Sequence, residues 1–570
     1  MGTRHGGRLY GSTCALWTIL FAAASGAPLA AELYGLRSQE LQDGFEGAIE
    51  GFAFENDALG RGFAVGDFNC DGRDDLAIHD NESITHDQEG AVHVLYANAD
   101  GLPGTDQVWK DFHPADGSND RELLDLFGWA LAAGNFDGNS FGGHGCDDLA
   151  IGIPGEDVAG SADAGGVLVL YGFPISGLAA ASSPGAWRWT LGAGGIGGTP
   201  AAGDNLGASL SSGDFDNDGR DDLAIGIPSA DEGGTPNVGK VLVMYGTTAS
   251  GLAPADHRIF SQNSSGGDGT MLDLCEAQDV FGKTLAAGDF NGDLADDLAV
   301  GVPGENVGAG AGVSAGAVQI LYGFTNTGLR LTGNQFWNES NVDTGGSAEA
   351  DDDFGLALAA GDVTGEGTDD LVIGAPRENI DGFEDAGAVT LLWGQFGVGL
   401  ATAGSEIYDQ SDLGDGESPG PFENFGFALA IGDFIEANGV GAKDLAIGIV
   451  QEQVWDPDSN ADRVAAGGVS VVAGGFGLVP SEAVFWAQGY RGSAGAGTLN
   501  VGQLYGHALA AGDFDGNGHD DLAIGAPSVN GQLGPVATGI DAGAFYVLYG
   551  ALFADGFESE DASSWSASAP

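Results

Sequence analysis

One acidic motif recurs seven times along this chain and limits what the chain can fold into. Its clearest copy, GDFDNDGRDDLAIGIP at residues 213–228, crowds aspartates directly before an apolar run. Related copies begin at residues 66, 134, 288, 361, 432 and 512. The spacing averages roughly 74 residues, and a fixed period of this kind is the signature of a repeat architecture.

Each repeat contains the same sequence of short segments. An FG-like dipeptide opens an apolar segment that leads into the acidic loop, as at Phe127-Gly128, Phe281-Gly282, Phe354-Gly355 and Phe425-Gly426. A DDLAIG-like run, a GAVQILYG-like run and a segment with one aromatic residue follow. Gly-marked turns between short apolar runs favour strands. Four strands per repeat predict an all-β fold, a seven-bladed β-propeller of four-stranded antiparallel blades over residues 32–550.

The two ends of the repeat region predict how the ring closes. The last repeat stops after GAFYVLYG at 543–550 and lacks a fourth strand. At the other end, RSQELQDGF at 37–45 stands as far ahead of Leu59-Gly60 as the other fourth segments stand ahead of their FG-like sites. We therefore expect the N-terminal strand to complete the last blade, which removes exposed sheet edges.

The segments that flank the repeats predict export. Residues 1–31 combine Arg4 and Arg8 with an apolar stretch and small residues before Glu32, as in a cleaved secretory signal. We expect a secreted protein, extracellular or at the cell surface, with the periplasm as an alternative. Residues 551–570 form an acidic, Ser/Ala-rich tail for which disorder is the default. For Cys70 and Cys146, a disulfide and unpaired thiols both remain open.

The charge balance restricts the partners. The chain has 17 Lys+Arg against 83 Asp+Glu, a formal net charge of −66. Such a surface repels nucleic acid and anionic lipid, because binding of phosphates needs a basic patch. It attracts cations instead, although a high acidic charge also suits any soluble exported protein.

The acidic loops have the spacing of a calcium-binding hairpin. Oxygen-bearing side chains stand at positions 1, 3, 5 and 9, and position 7 can offer a backbone carbonyl. Ca²⁺ takes six to eight such oxygens, whereas Zn²⁺ prefers His or Cys. Four repeats keep every side-chain position, and their predicted metal residues are Asp67, Asn69, Asp71, Arg73 and Asp75; Asp214, Asp216, Asp218, Arg220 and Asp222; Asp289, Asn291, Asp293, Ala295 and Asp297; and Asp513, Asp515, Asn517, His519 and Asp521.

The other three loops depart from the pattern to different degrees. Repeat five offers a weaker set, Asp362, Thr364, Glu366, Thr368 and Asp370. Repeat two has an insertion before Asp148, and repeat six has lost its middle ligands. We expect about four to five Ca²⁺ ions. An Asp/Gly/Asn hairpin can also be an ordinary turn, but repeated stacking of carboxylates favours a cation.

These motifs together resemble the FG-GAP repeats of the integrin α-subunit N-terminal β-propeller and its secreted bacterial relatives. The FG-like dipeptide, the GDFDGNGHDDLAIGAP-type loop and the VLYG strand recur in order over about residues 32–550. The resemblance implies a seven-bladed propeller with Ca²⁺ in the loop between strands one and two. The stalk, membrane helix and cytoplasmic tail of an integrin have no counterpart in the repeats, so a membrane-spanning receptor role is not carried over.

Strand alternation predicts where a partner binds. The acidic loops and the turns between strands three and four share one face of the disc. Variable loops share the opposite face, where recognition usually occurs on a rigid scaffold; they include residues 229–239, 263–280, 305–316 and 411–424. We expect a monomeric protein- or glycan-binding module of the adhesion type, with structural Ca²⁺ and no nucleic-acid partner or membrane span.

Enzyme motifs are scarce, so we expect no catalytic activity. Gly312-Val-Ser314-Ala-Gly316 matches G-x-S-x-G but precedes a strand, whereas a nucleophile elbow follows a strand and opens a helix. Two alternatives remain open. One is a propeller hydrolase or lyase with its site at the central channel, and the other is a surface or matrix structural protein.

Overall fold

The computed structural model describes most of the repeat region. The described residues are 38–41, 58–81, 89–99, 101–103, 106–111, 124–179, 186–248, 251–307, 314–342, 348–435, 441–456, 461–463, 466–487, 502–528 and 543–550. The predicted signal peptide, 1–31, and the predicted tail, 551–570, lie outside them.

The fold is all-β and consists of seven four-stranded antiparallel blades arranged as a propeller. In chain order, the strands of the first four blades are Phe63–Gly66, Asp75–Asp80, Ala91–Leu95 and Gln107–Lys110; Leu131–Gly134, Asp148–Ile153, Gly166–Leu170 and Trp187–Trp189; Leu210–Gly213, Asp222–Ile227, Lys240–Tyr245 and Ala253–Phe260; and Leu285–Gly288, Asp297–Val302, Ala317–Tyr322 and Arg330–Trp337.

The remaining blades follow the same plan. Their strands are Ala357–Gly361, Asp370–Ala375, Ala388–Trp393 and Ala401–Tyr408; Phe425–Gly432, Asp444–Ile449, Gly468–Ala473 and Val479–Trp486; and Leu509–Gly512, Asp521–Ala526, Ala544–Leu548 and Ser38–Leu41. Three small hairpins and one 3-10 turn lie in the loops, at Ser140–Phe141 with His144–Gly145, Ser265–Gly266 with Gly269–Thr270, Val454–Asp456 with Ala461–Arg463, and Gln410–Asp412.

The ring closes as the sequence predicts. Strand Ser38–Leu41 pairs antiparallel with Ala544–Leu548, so the seventh blade contains both the first and the last described strand of the chain. The first strands of successive blades contact one another, including those of blades seven and one, and surround the central channel. Both the seven-bladed architecture and the closing strand are therefore confirmed.

The cores lie between blades rather than within them. Among the described residues, buried apolar side chains form seven clusters, and each cluster spans two neighbouring blades. The second strand of every blade is buried along its whole length, whereas inner strands such as Leu131–Gly134 alternate between buried and half-buried positions. Burial on both faces explains why the second strands are continuously apolar after their first Asp.

The FG-like residue joins each blade to the one before it. In the fifth blade, Phe354 forms a parallel bridge with Gly316, the residue before the third strand of the fourth blade. A Cβ atom on Gly316 would lie 2.3 Å from the carbonyl oxygen of Phe354, and its φ is +90°. Only glycine fits this close approach of two backbones. The glycine before the third strand is therefore as necessary to the interface as the aromatic ring.

The insertion in the second repeat forms the small hairpin at residues 140–145. Cys146, just after it, forms a disulfide with Cys70 in the acidic loop of the first blade. The structure thus favours the disulfide over unpaired thiols and makes it a covalent link between two neighbouring blades.

We expect removal of the closing strand to destabilise the disc. A chain that begins at residue 42 leaves Ala544–Leu548 as an exposed edge, whereas a chain that begins at residue 32 keeps the strand. The shorter chain should melt at least about 3 °C lower in calorimetry and should self-associate in size-exclusion chromatography. Equal melting temperatures and equal elution volumes for the two chains would contradict this role.

Candidate functional site

The first and ninth residues of each acidic loop hold the hairpin through backbone amides. In the third blade, the Asp214 carboxylate accepts from the backbone N–H of Asp218 at 2.9 Å and of Gly219 at 2.8 Å. Asp222 accepts from Phe215 N–H at 3.0 Å and from Gly246 N–H, just after the third strand, at 2.8 Å. The two acids therefore fix the turn and anchor it to the next strands of the blade.

This pattern repeats in the other loops with all or most of the predicted side chains. The first-position acids Asp67, Asp289, Asp362 and Asp513 each accept from two backbone amides of their own loop. The ninth-position acids Asp75, Asp297, Asp370 and Asp521 each bind one amide of the loop and one after the third strand. Neither role was predicted from the sequence.

Two loops bring three carboxylates together in a way that suits a cation. Ligand oxygens of Asp214, Asp216 and Asp218 lie within 4.8 Å of one another, and those of Asp513, Asp515 and Asp521 do the same. In the third blade, the Oδ1 atom of Asp216 is buried and has no hydrogen-bond donor among the described residues. A carboxylate oxygen that is buried without a donor is unfavourable unless a cation or a proton compensates it.

Burial and mutual repulsion disfavour ionisation of the ninth-position acids. Desolvation first, and then the charges of other acids in the same loop, raises the pKa of Asp75, Asp222 and Asp297 to about 9. The same causes raise the pKa of Asp521 to about 8, and desolvation raises that of Asp370 to about 7. A bound cation would oppose these effects because it stabilises the ionised form.

Asparagine at position 3 behaves differently from aspartate. In the first blade, the Asn69 amide nitrogen donates to both Asp75 oxygens at 3.3 Å. Asn291 donates to both Asp297 oxygens at 3.2–3.3 Å in the fourth blade. The asparagine amide thus stabilises the buried carboxylate directly. If the asparagine is to bind a metal through its Oδ1 atom, its amide group must flip so that this oxygen takes the place of the nitrogen.

The seventh-position residues contribute more than the backbone carbonyl that the sequence suggested. The Arg220 guanidinium pairs with Asp218 of its own loop, and Arg73 lies 3.7 Å from Asp71. Thr368 donates its hydroxyl to the carbonyl of Gly394 at 3.1 Å, and Nδ1 of His519 lies 3.2 Å from Asp433 in the sixth blade. Ala295 is buried.

The degenerate loops keep the turn without the cluster. In the fifth blade, Thr364 is buried, and Glu366 donates its backbone N–H to Asp362. In the sixth blade, Asp444 still accepts from Ile435 N–H and Gly474 N–H. The ninth-position acid is thus a structural element in loops with and without the middle ligands.

The sequence patterns did not reveal a ring of carboxylates that connects the blades. The first Asp of each DD pair accepts from the backbone N–H that opens the acidic loop of the preceding blade, at 2.7–3.0 Å; these acids are Asp74, Asp147, Asp221, Asp296, Asp369 and Asp520. A backbone bond of 3.0–3.3 Å in the reverse direction accompanies each of them. The sequence signal for this contact between blades was the presence of two adjacent Asp residues in the motif.

The sixth blade breaks this ring of side chains. Lys443 replaces the first Asp of the pair, and only its backbone N–H contacts the preceding loop, at 2.8 Å from the carbonyl oxygen of Asp362. Its ammonium group lies 3.2 Å from Asp520, the ring carboxylate of the next blade.

Comparison with known families agrees with this geometry. Residues 206–244, 281–321, 354–392 and 505–548 match the FG-GAP repeat. These segments run from the FG-like position through the acidic hairpin to the third strand of blades three, four, five and seven. Four of the seven blades thus match the FG-GAP repeat, and the chain is a β-propeller with FG-GAP repeats that is similar in part to integrin α subunits.

Two kinds of curated protein share part of this chain. It is 33% identical over 171 residues to the phosphatidylinositol-glycan-specific phospholipase D of Homo sapiens, which is 30% of this chain and 18% of that protein. It is 32% identical over 259 residues to integrin alpha-PS2 of Drosophila melanogaster, which is 44% of this chain and 15% of that protein. The matches thus span less than a fifth of either relative.

Solved structures are similar only at a low level. AofleA from Arthrobotrys oligospora aligns over 76% of this chain and 88% of its own, at 8% identity and a TM-score of 0.32. The rhamnogalacturonan lyase YesW aligns over 87% of this chain and 91% of its own, at 12% identity and a TM-score of 0.30. Scores of this size support no statement about the function of this chain.

Position 6 of the fourth loop is strained. Leu294 occupies it with φ at 74° and is exposed, whereas Gly219 occupies the same position in the third loop with φ at +84° and open space around it. A positive φ costs a side chain with a Cβ of the order of 1 kcal/mol.

We therefore expect Leu294→Gly to raise the free energy of unfolding by about 0.5–1 kcal/mol, and Gly219→Ala to lower it by about 1 kcal/mol. Denaturant titration of the two variants beside the wild type measures both changes. A loss of stability in Leu294→Gly would mean that the leucine side chain contributes packing that outweighs its backbone strain.

Proposed function

We propose that this chain is a secreted, Ca²⁺-stabilised propeller that binds a protein or glycan on the face opposite the acidic hairpins. The observation that carries the proposal is the chemical difference between the two faces. One face presents repeated acidic hairpins, and the other presents variable loops around a basic and aromatic channel mouth.

The residues of the hairpins fit calcium. Their ligands are carboxylate and amide oxygens, which suit a hard cation, and three-carboxylate sets lie within 4.8 Å of one another. Asp214, Asp216, Asp218 and Asp222 would hold the ion in the third blade, and the corresponding side chains would do so in blades one, four and seven. Ca²⁺ there would neutralise buried charge and stiffen the hairpin, and no chemistry on a ligand is needed.

Chelation should therefore destabilise the protein. Wild type should bind about four to five Ca²⁺ ions in isothermal titration calorimetry, and EGTA should lower its melting temperature by several degrees. Asp216→Ala should bind one ion fewer because it removes the middle ligand of the third hairpin. Glu482→Ala, which removes an exposed carboxylate from the outer strand of blade six, is the control. A melting temperature that EGTA does not change would refute calcium stabilisation.

The mouth of the channel opposite the hairpins is formed by the residue that follows each FG-like dipeptide. These residues are Arg61, Trp129, Ala208, Lys283, Leu356, Phe427 and His507. The Arg61 guanidinium lies 4.4 Å from the centre of the Trp129 ring, and the rings of Phe427 and His507 are 5.2 Å apart. Cationic and aromatic groups therefore lie side by side at this position.

The positive charges of Arg61 and Lys283 repel each other across this mouth. Desolvation first, and repulsion from Arg61 second, lower the pKa of Lys283. Among the described residues, no carboxylate pairs with either side chain. In a chain with 17 Lys+Arg against 83 Asp+Glu, such a basic mouth favours an acidic ligand, such as a carboxylate-bearing glycan or an acidic peptide.

The surrounding loops offer further contact area on this face. Residues 229–239 of the third blade are bound to the loop that leads into the fourth, through Val280 N–H to Asn237 O at 3.1 Å. Leu272 and Leu274 in that loop are exposed by 62% and 69%. The hairpin face also carries exposed apolar side chains, Ile175 and Phe476, so apolar exposure alone does not distinguish the faces.

The histidines near the channel support binding rather than catalysis. His79 is fully buried, and desolvation lowers its pKa to about 3, with further contributions from Arg61, His93 and His507. Desolvation, with a smaller contribution from Arg61, also lowers the pKa of His507, to about 4. The groups that act on the pKa of His79 are all basic, and we propose no catalytic role for this histidine.

The relatives agree with an extracellular setting. Integrin subunits and the phospholipase D relative share the repeat with this chain. Within the described residues, no helix is both long and apolar enough to cross a membrane.

A binding screen tests the location of the ligand site. The protein, in Ca²⁺, is applied to an array of acidic and neutral glycans and matrix proteins, and the strongest hit is titrated by biolayer interferometry. Arg61→Gln/Lys283→Gln should weaken binding at least about tenfold. Arg330→Gln/Lys443→Gln, which removes two cations at the hairpin face, should leave binding unchanged. The reverse ranking would place the ligand on the hairpin face, and an array without hits would contradict the binding role.

A further inference from the structure

A second group of acidic side chains lies where neighbouring blades meet, on the face opposite the hairpins. One member follows the fourth strand of a blade, one stands two residues before the next FG-like position, and one stands three residues after the next second strand. We call these sets junction triads. Within the part of the chain that the structure describes, four triads have at least two acids: Asp111, Asp125 and Glu156; Gln262, Asp279 and Glu305; Glu339, Asp352 and Glu378; and Gln410, Glu423 and Glu452.

Three of the four junction triads contain their own charge compensation. Between blades one and two, the Arg188 guanidinium pairs with Asp111 and lies 2.6 Å from Glu156. Between blades three and four, the Gln262 amide donates to Glu305 at 2.6 Å. Between blades five and six, Gln410 donates to Glu452 at 2.9 Å. A guanidinium or an amide thus stabilises the buried acid at each of these junctions.

The triad between blades four and five has neither a guanidinium nor a side-chain amide among its members. Its members are Glu339, Asp352 and Glu378, and their ligand oxygens lie within 4.8 Å of one another. Glu339 is only 3% exposed, and neither of its carboxylate oxygens has a hydrogen-bond donor among the described residues. Asp352 is fully buried, and its Oδ1 atom also lacks a donor within the same described set.

The nearest basic side chain in sequence does not fill this role. Arg377, which precedes Glu378, places its guanidinium 3.0 Å from the neighbouring Asp353. Burial, followed by repulsion from neighbouring acids, raises the pKa of Glu339 to about 9 and that of Glu378 to about 8. The backbone N–H of Glu349 donates to the Oδ2 atom of Asp352, but burying three such carboxylates together without a positive charge is strongly unfavourable.

We propose that Glu339, Asp352 and Glu378 bind a divalent cation, Ca²⁺, at the junction of blades four and five. Oxygens that lie within 4.8 Å of one another can surround one ion at Ca–O distances of about 2.3–2.6 Å. All three side chains are hard oxygen donors, and none of them is a nitrogen or sulfur ligand that would favour Zn²⁺. The ion would replace the guanidinium and amides of the other triads.

Exchange of one side chain between two triads tests this proposal. Glu339→Gln gives the fourth junction the amide that Gln262 and Gln410 provide elsewhere. Gln410→Glu makes the reciprocal change and creates a three-acid set with Glu423 and Glu452. Glu384→Gln removes the same charge from an exposed position in the loop that contains Glu378 and serves as the matched control.

Ca²⁺ alone is titrated into each folded, chelator-treated protein, and bound ions are counted by native mass spectrometry and calorimetry. Glu339→Gln should bind one ion fewer than wild type, Glu384→Gln the same number, and Gln410→Glu one ion more. In EGTA, Glu339→Gln should melt about 1–2 °C above wild type because one buried charge is removed. In saturating Ca²⁺, this advantage should disappear or reverse.

Equal ion counts for Glu339→Gln and wild type would overturn the junction site and would mean that protons compensate the three acids. This result is distinct from failure of the hairpin sites, which Asp216→Ala reports. If only the junction binds, wild type retains one ion and Glu339→Gln none. If only the hairpins bind, Asp216→Ala loses an ion and Glu339→Gln does not.

Discussion

This propeller depends on hydrogen bonds in which paired aspartates accept from backbone N–H groups. The second Asp of each DD pair closes its own hairpin, and the first Asp reaches the hairpin of the preceding blade. Because hydrogen bonds to charged acceptors are stronger than neutral ones, the ring of blades is held at its inner edge by polar contacts as well as by seven apolar clusters between blades. The motif thus joins neighbouring blades through hydrogen bonds whether or not it binds a metal.

This use of carboxylates has an electrostatic cost that the rest of the structure must offset. The chain carries a formal charge of −66, and many of its acids are buried in pairs or triads. Four kinds of group provide compensation: backbone amides at the first and ninth loop positions, asparagine amides at position 3, glutamine amides at two junctions, and guanidinium groups such as that of Arg188. Cations are the natural complement where none of these is present.

Much of the fold was predictable because its signals are local and periodic. Seven copies of one motif, four apolar runs per copy and an unmatched N-terminal strand predict seven closed blades, and the structure confirms each of these points. The acidic hairpins were also predictable as local units, since all candidate ligands of one loop lie within nine residues. The same reasoning did not reveal that the first and ninth acids are already engaged by backbone amides.

Other features were not predictable because they combine distant segments. Glu339 and Asp352 lie 13 residues apart in the connection between blades four and five, Glu378 comes from a loop of blade five, and each alone resembles an ordinary surface acid. The roles of Asp296 and its equivalents depend on which backbone amide the neighbouring blade presents. The positive φ of Leu294 follows from the geometry of the loop. The sequence does not indicate it, because a leucine disfavours a positive φ.

The replacement of a ring aspartate by Lys443 removes one side-chain hydrogen bond from the boundary between blades five and six. Every other boundary between blades combines a carboxylate bond with a backbone bond at the inner edge, whereas the boundary between blades five and six retains only the backbone bond there. The boundary between blades one and two is, in contrast, covalently reinforced by Cys70–Cys146. The polar contacts at the inner edge therefore hold the seven boundaries unequally, and the boundary beside Lys443 relies more on the apolar packing between its two blades.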